Sequence, residues 1–325
     1  MASVLNEKYF HDEPAAFAAL EGIMWPDGEP SSCPHCGVIG RANRLAVQRS
    51  KPSKKHPEGK PVYGLWKCYA CRKQFTVRKG TVFEESRLEL HQWFQAAYLL
   101  CASKKGVSAN QLHRTLGCTL KTAWFVGHRL REAMRELHPV SPIGGKGKIV
   151  EADETYVGGK EKNKHANKRL NAGRGAVGKE PVLSLVERGG KVRSRHVANV
   201  GAKTLRPVLT EQIDKASRLM TDENAVYPAA GREFAEHGSV NHSIGEYVRG
   251  DAHTNTVECY FSIFKRGIVG TYHHVSPQHL KRYLAEFDFR YNNRIALGVG
   301  DLVRTASAIK GASGKRLLYR DSSVR

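Results

Sequence analysis

The chain has 325 residues, enough for a large core and two or three domains. Lys and Arg number 52 against 31 Asp and Glu, a net charge of +21 that favours a polyanionic partner, nucleic acid before an acidic membrane surface. Neither secretion nor a membrane span is expected, because MASVLNEKYFHDE lacks an apolar signal core and the apolar run at 96–102 is far too short to cross a bilayer; a cytoplasmic, nucleoid-associated protein is the expectation.

Residues 12–25 read as a short amphipathic helix, with Asp12 as cap, Pro14 in the first turn and Phe17, Leu20 and Met24 on one face. Of the seven cysteines, four fall in two C-x-x-C pairs, Cys33/Cys36 and Cys68/Cys71. In an intracellular protein that spacing points to metal rather than disulfides, and two such knuckles supply a closed tetrahedral zinc site that is structural, not catalytic. The 31 residues between the pairs exceed the usual ribbon spacing, and the excess is basic (Arg49, Lys51, Lys54, Lys55, Lys60). It reads either as a solvated hairpin tip or as a finger along a phosphate backbone. YGLWKC and KQFTVRKGTVF are the expected flanking strands.

Periodicity turns helical over 88–136. Leu90, Trp93, Phe94, Ala97 and Leu100 mark one helix, Ser108 caps a second, and Thr119 caps a third after a Gly117-containing turn. The last two fit helix-turn-helix geometry, with Lys121 and Thr122 leading the third helix toward a major groove. A plain three-helix packing unit is the alternative.

The stretch from His138 to Gly147 is a linker by composition. Beyond it the pattern becomes α/β: KIVEADETYV as a strand, PVLSLVER and KVRSRHVANV as a hairpin around Gly189-Gly190, a helix over Thr204–Ile213, SRLMTD as a strand, a helix over 225–237, and SVNHS as a short strand. Three antiparallel strands followed by alternating helix and strand is the order of an RNase H-like sheet. Residues 158–180 interrupt the hairpin with seven Lys or Arg and read as a mobile basic loop; Lys160, Lys162, Lys164, Lys168, Arg169 and Arg174 are its candidate DNA contacts. Gly173-x-Gly175-x-x-Gly178 there is not a dinucleotide site, since no strand precedes it and Pro181 opens a strand. A helix is expected from Asp251, with Val257, Phe261 and Phe264 as its buried stripe, and another from Ser276-Pro277 to Asn292-Asn293. A short helix follows Asp301, and the basic tail is expected to be loose.

Three carboxylates stand where these elements can converge: Asp153 and Asp222 on strands and Glu258 one turn into a helix. Such a set holds divalent cations through oxygen ligands, usually magnesium on phosphate oxygens. Each acid has a plainer reading. Asn255-x-x-Glu258 resembles a capping box, and Asp222 could cap a strand end. Glu151 and Glu154 could stand in for Asp153, Glu151 being the stronger rival because it shares the strand face. Asp214 and Asp251 are spares. Cys101, Cys118 and Cys259 read as core or near-core thiols.

CPHCG, CYACRKQFTVRKGTVFE, EADETYVGGK, TDENAVY, HTNTVE and FKRGIVGTYHHVSPQHLKRYLAEFDFRYNNR, in this order over about 15–295, resemble bacterial insertion-sequence transposases of the DDE class, of the insertion-sequence family fifteen-ninety-five. The resemblance implies a multidomain α+β chain in the order N-terminal helix (1–30), zinc ribbon (31–85), helix-turn-helix (86–138), linker (139–147), RNase H-like catalytic domain (148–296), and C-terminal helix with basic tail (297–325). It implies Asp153, Asp222 and Glu258 as catalytic triad holding two Mg²⁺ (or Mn²⁺), with His253 and Asn255 orienting Glu258 or a phosphate and Lys265 and Arg266 following the DNA backbone. The implied activity is 3′-end cleavage at terminal inverted repeats and strand transfer into target DNA, by at least a dimer on DNA. A non-catalytic zinc-ribbon regulator and an RNase H-like nuclease are the rival readings.

Overall fold

The computed structural model describes residues 3–54, 56–137, 141–159, 161–170 and 176–318. Two compact units form: Met1–Ser103, Val107–Arg135 and Gly300–Arg325 make one, and Lys104–Gly106 with Glu136–Val299 the other.

In the first unit, α1 (Glu13–Met24) begins at Asp12, whose carboxylate accepts from the Ala15 N–H at 2.9 Å, and buries Phe17 and Leu20. The ribbon follows: β1 (Ala42–Arg44), β2 (Gln48–Arg49), β3 (Pro61–Val62), β4 (Trp66–Cys68) and β5 (Gln74–Phe75). β1-β4-β5 form an antiparallel sheet, and β2 pairs with β3 to make the hairpin that accounts for the long spacing between the cysteine pairs. Next come α2 (Leu90–Ala102), α3 (Ala109–Leu116) and α4 (Leu120–Met134). Ser108 and Thr119 cap the last two through the Gln111 and Thr122 N–H groups. Gly117 ends α3 at φ +63°, a conformation that costs glycine nothing.

The second unit is built on β6 (Ile149–Val157), β7 (Glu180–Glu187), β8 (Val192–His196), α5 (Ala202–Gln212), β9 (Arg218–Thr221), α6 (Tyr227–Gly231), β10 (Glu236–Ser239), α7 (Asn255–Gly267) and α8 (Pro277–Asn292). The sheet order is β10-β9-β6-β7-β8: β6, β7 and β8 are antiparallel neighbours, while β9 runs parallel to β6 and β10 parallel to β9. This is the RNase H-like order. The two-residue alternation of β6 divides the core: Val150 and Ala152 pack with Leu205 and Leu209 of α5 and with Tyr227. Val157 packs on the other face with Val257, Phe261 and Phe264 of α7 and Leu280, Leu284 and Phe287 of α8. A polar knot fastens α7 and α8 to that face. The Ser194 N–H and hydroxyl both donate to Asp288 at 2.7 Å, and the Tyr260 hydroxyl donates to it at 2.6 Å.

Four expectations need correction. The helix over 225–237 shrinks to the five residues of α6, because 236–239 are taken up as the edge strand β10, parallel to β9. SVNHS is accordingly not a strand: pairing ends at Ser239, and His242–Ile244 form a 3₁₀ turn. The helix carrying Glu258 starts at Asn255, with Thr254 as its cap residue, and Asp251 lies outside it. Finally, the last helix, α9 (Asp301–Lys310), packs against α2 and α4, and the described part of the tail is docked. Lys315 donates to the carbonyls of Ala133 and Arg135, and Arg129 donates to that of Leu317 at 3.1 Å. Cys101 is buried as expected, whereas Cys259 is exposed on α7.

Candidate active site and metal centre

The four ribbon cysteines converge. Their sulfurs all lie within 4.8 Å of one another, with Cys33–Cys71 and Cys36–Cys68 both at 3.8 Å. A tetrahedron with Zn–S bonds of about 2.3 Å has S–S edges of about 3.8 Å, so the donor set fits zinc. The knuckle turns supply supporting N–H groups: His35 donates to the Cys33 sulfur at 3.4 Å, and the Cys71 N–H draws the Cys68 thiol down to about 7, while Cys36 in the same cluster is pushed up to about 11. Trp66 and Phe75 pack beside the sulfurs.

The second centre is acidic. Ile149, Val150 and Glu151 of β6 pair in parallel with Arg218, Leu219 and Met220 of β9. Two steps further along that register Asp222, just past the end of β9, comes abreast of Asp153. The carboxylate oxygens of Asp153, Asp222 and Glu154 lie within 4.8 Å of one another, and among the described residues none of the three has an ion pair. Burial, then the charge of Asp222, pushes Asp153 up to about 7; Glu258 adds to the push and Lys265 opposes it. Burial likewise lifts Glu154 to about 7, and raises Asp222. Crowded, unneutralised carboxylates offering only oxygen fit a hard divalent cation.

Glu258 is near enough to raise Asp153 but lies outside that 4.8 Å grouping. It is half-exposed, and its Oε1 accepts from the buried Thr254 hydroxyl at 2.9 Å with His242 Nε2 at 3.5 Å. His242 Nε2 is also 3.2 Å from the Thr254 hydroxyl. The capping-box reading of Asn255 and Glu258 therefore gives way: Glu258 answers to Thr254, and Asn255 is exposed on the first turn. His253 does not reach Glu258 either; its Nδ1 lies 3.3 Å from Glu151.

The two rivals of Asp153 exchange places. Glu151 is fully buried and engaged with the start of α7, so it is not available to the acidic centre. Glu154 joins that centre although it starts from the opposite strand face. β9 ends at Thr221, so Asp222 lies past the strand end, where its carboxylate meets both Asp153 and Glu154. Glu154 sits beside the buried Tyr227, each perturbing the other. His242 lies outside every motif read in the sequence, whereas Glu154 and Thr254 stand inside EADETYVGGK and HTNTVE, where nothing marks Thr254 for a role and alternation marks Glu154 as the weaker rival. Of the spares, Asp214 caps a turn through the Ala216 N–H, and Asp251 pairs with Arg218 at 2.7 Å. Another acid–histidine grouping, Glu13, Glu89 and His91, is spent at the start of α2, where Glu13 accepts from the Leu90 and His91 N–H groups.

The profile of the ISXO2-like transposase domain matches residues 144–292, and that of the transposase zinc-ribbon domain matches residues 11–74. An uncharacterized protein in transposable element ISH50 of Halobacterium salinarum is 31% identical over 301 residues, covering 87% of this chain and 92% of its own length. The chain belongs to the ISXO2-like transposase family. Both centres fall inside the matched segments, and among the described residues no helix is long and apolar enough to cross a membrane.

In this chain the candidate DNA contacts differ in their exposure and their partners. Lys121 is exposed and Thr122 half-buried on the first turn of α4, where the Thr122 hydroxyl lies 2.9 Å from the capping Thr119 hydroxyl. Lys265 and Arg266 are exposed on α7 and, with Lys105 and Val269–Thr271, line a groove of about 480 Å³. In the basic insertion, Lys162 and Lys168 are exposed, whereas Lys164 pairs with Glu161. The Arg169 guanidinium donates to the Lys162 and Lys164 carbonyls at 2.9 and 3.0 Å. Lys160 and Arg174, like Lys55 of the hairpin and Gly173 and Gly175 of the glycine pattern, lie outside the described residues.

Proposed function

We propose that this protein is a DDE transposase that binds the terminal inverted repeats of its element, cleaves their 3′ ends and joins them to target DNA, with Asp153, Asp222 and Glu258 as its catalytic acids. The observation that carries the reading is the convergence of Asp153 and Asp222 from adjacent parallel strands, with Glu258 on the helix packed against one of them. Asp153 and Asp222 would hold divalent cations, Mg²⁺ or Mn²⁺, and Glu258 would complete the set through Oε2. Bound cations would neutralise the scissile phosphate and ease deprotonation of the attacking water or 3′ hydroxyl. The protein's own part is placement: strand register fixes the two aspartates, Thr254 and His242 fix one Glu258 oxygen, and burial keeps the carboxylates free of competing cationic side chains. No covalent protein intermediate is required, so neither Ser nor Tyr need act as nucleophile. Zinc in the ribbon would hold its fold, while the ribbon, the helix-turn-helix and the basic insertion engage DNA as a dimer or larger multimer, inside the cell on the nucleoid.

The test uses purified protein, Mg²⁺ and labelled DNA ending in the parent element's terminal repeat, with Asp222→Ala alongside. Cleavage and joining by the wild type alone are expected. Binding without cleavage by both proteins would leave a zinc-ribbon regulator, and cleavage without joining would leave a nuclease.

A further inference from the structure

Glu151 and Arg188 have no part in the acid chemistry, yet they are tied more densely than their position requires. Glu151 is completely buried two residues before Asp153 on β6. Its Oε2 accepts from the backbone N–H groups of Thr256 and Val257 at 2.7 and 3.0 Å, and its Oε1 accepts from the Thr256 hydroxyl at 2.9 Å. Arg188, just past the end of β7, donates through Nε to that same Oε1 at 2.6 Å. Through Nη2 it donates to the carbonyls of Asp251 and His253 at 2.9 and 3.0 Å. One ion pair, its carboxylate buried and its guanidinium partly exposed, thus holds the backbone leading into α7 by its carbonyls and the first turn of α7 by its amides.

We infer that Glu151 and Arg188 are positioning residues that set the register of α7 against β6, and with it the placement of Glu258 relative to Asp153. The inference rests on the reading of those acids as catalytic. Asp153 and the anchor of α7 sit two residues apart on one face of one strand, so the strand itself measures the offset between Asp153 and Glu258. The first-turn N–H groups of a helix have no intrahelical partners and favour a carboxylate, which makes Glu151 a strong and directional tie. With the backbone pinned from Asp251 to Val257, only the Glu258 side chain need adjust when a cation binds. A packing role alone would not need a buried charge at this point, since an apolar side chain fills such space without desolvating an ion.

The test compares full-length Glu151→Gln, and Arg188→Lys in case Glu151→Gln does not fold, with wild type and Asp222→Ala. Thermal melting reports folding, Mn²⁺ titration by electron paramagnetic resonance reports metal affinity without turnover, and the Mg²⁺ concentration for half-maximal strand joining reports the working site. Residues that orient ligands typically change metal affinity by about 10–100-fold. The expected result is a folded variant whose Mn²⁺ affinity and Mg²⁺ half-saturation are weakened by about tenfold or more, with terminal-repeat binding unchanged. A folded variant with wild-type metal affinity and joining would overturn the inference, as would losses that only track the unfolded fraction in both variants. If Asp222→Ala itself joins DNA, the proposed function fails instead.

Discussion

Thr254→Val isolates the hold on Glu258. Valine keeps the shape of a side chain that is completely buried, and the His242 Nε2 it leaves still lies 3.5 Å from Glu258 Oε1. Stability should therefore fall by no more than about 1.5 kcal/mol, the low end for a hydrogen bond to a charged group. The hydroxyl lost is the one donating to Glu258 Oε1 at 2.9 Å. A hydrogen bond to a charged group contributes about 1.5–3 kcal/mol, and the half exposure of Glu258 puts this one at the lower end, since water competes for the same oxygen. If that energy is what holds Glu258 in its working rotamer, about 1.4 kcal/mol corresponds to a tenfold slower reaction. The assay is single-turnover 3′-end cleavage at saturating Mg²⁺, with Thr254→Ser, which keeps the hydroxyl, expected within about threefold of wild type. Cleavage by Thr254→Val at the wild-type rate would refute the argument. So would a large fall in melting temperature, because Thr254 would then act through the fold.

Two further outcomes concern the cysteine cluster and the acidic cluster. Cys68→Ser should abolish stoichiometric zinc, measured by release to a chromogenic chelator. It should also expose the amides of 33–75 to hydrogen exchange while those of β6 and β7 stay protected, because strands of two or three residues around Trp66 and Phe75 are too small a core to fold alone. Metal affinity at the acidic centre should depend on pH with a definite sign. Burial and the charge of Asp222 lift Asp153 to about 7, so below that pH a proton occupies the carboxylate and a cation must displace it. Mn²⁺ affinity should rise by up to about tenfold per pH unit on approaching 7 and flatten above about 8; an affinity constant from pH 5.5 to 8 would contradict the crowding of these acids.

Local rules made the helices and the ribbon legible. Asp12, Ser108 and Thr119 are caps in sequence and in structure, and the stripe of Val257, Phe261 and Phe264 is buried as its period demands. Asp153 and Asp222 could be paired because each ends or interrupts an apolar strand. What stayed hidden depends on partners far along the chain. Glu151 looks interchangeable with Asp153 by alternation, but its oxygens belong to amides more than a hundred residues away. The segment 225–237 carries residues compatible with helix, and only the parallel edge of β9 claims 236–239 for the sheet. Thr254 and His242 are ordinary polar residues until the fold brings them to Glu258.

Charge is the property that sequence overstates most. The excess of +21 invites an even count of basic side chains as DNA contacts, yet many arginines are fasteners. Arg78 donates to the Phe83 and Ser86 carbonyls, Arg294 to those of Gly190 and Tyr291, and Arg169 to two carbonyls of its own loop. A guanidinium with several N–H groups in one plane suits that task, whereas an exposed lysine keeps its charge for a polyanion. The salt dependence of DNA binding separates these roles. Each phosphate contact adds about 0.9 to the slope of log K against log salt on duplex DNA. Replacing both exposed lysines, Lys162 and Lys168, with alanine should lower that slope by about 2 without changing sequence preference. Arg169→Ala should leave the slope nearly unchanged and instead open 161–170 to proteolysis, because it unties the loop rather than releasing a phosphate. The opposite pattern, a slope lost with Arg169 and kept without the lysines, would mean that the loop rearranges on DNA and frees the guanidinium that the unbound protein keeps for itself.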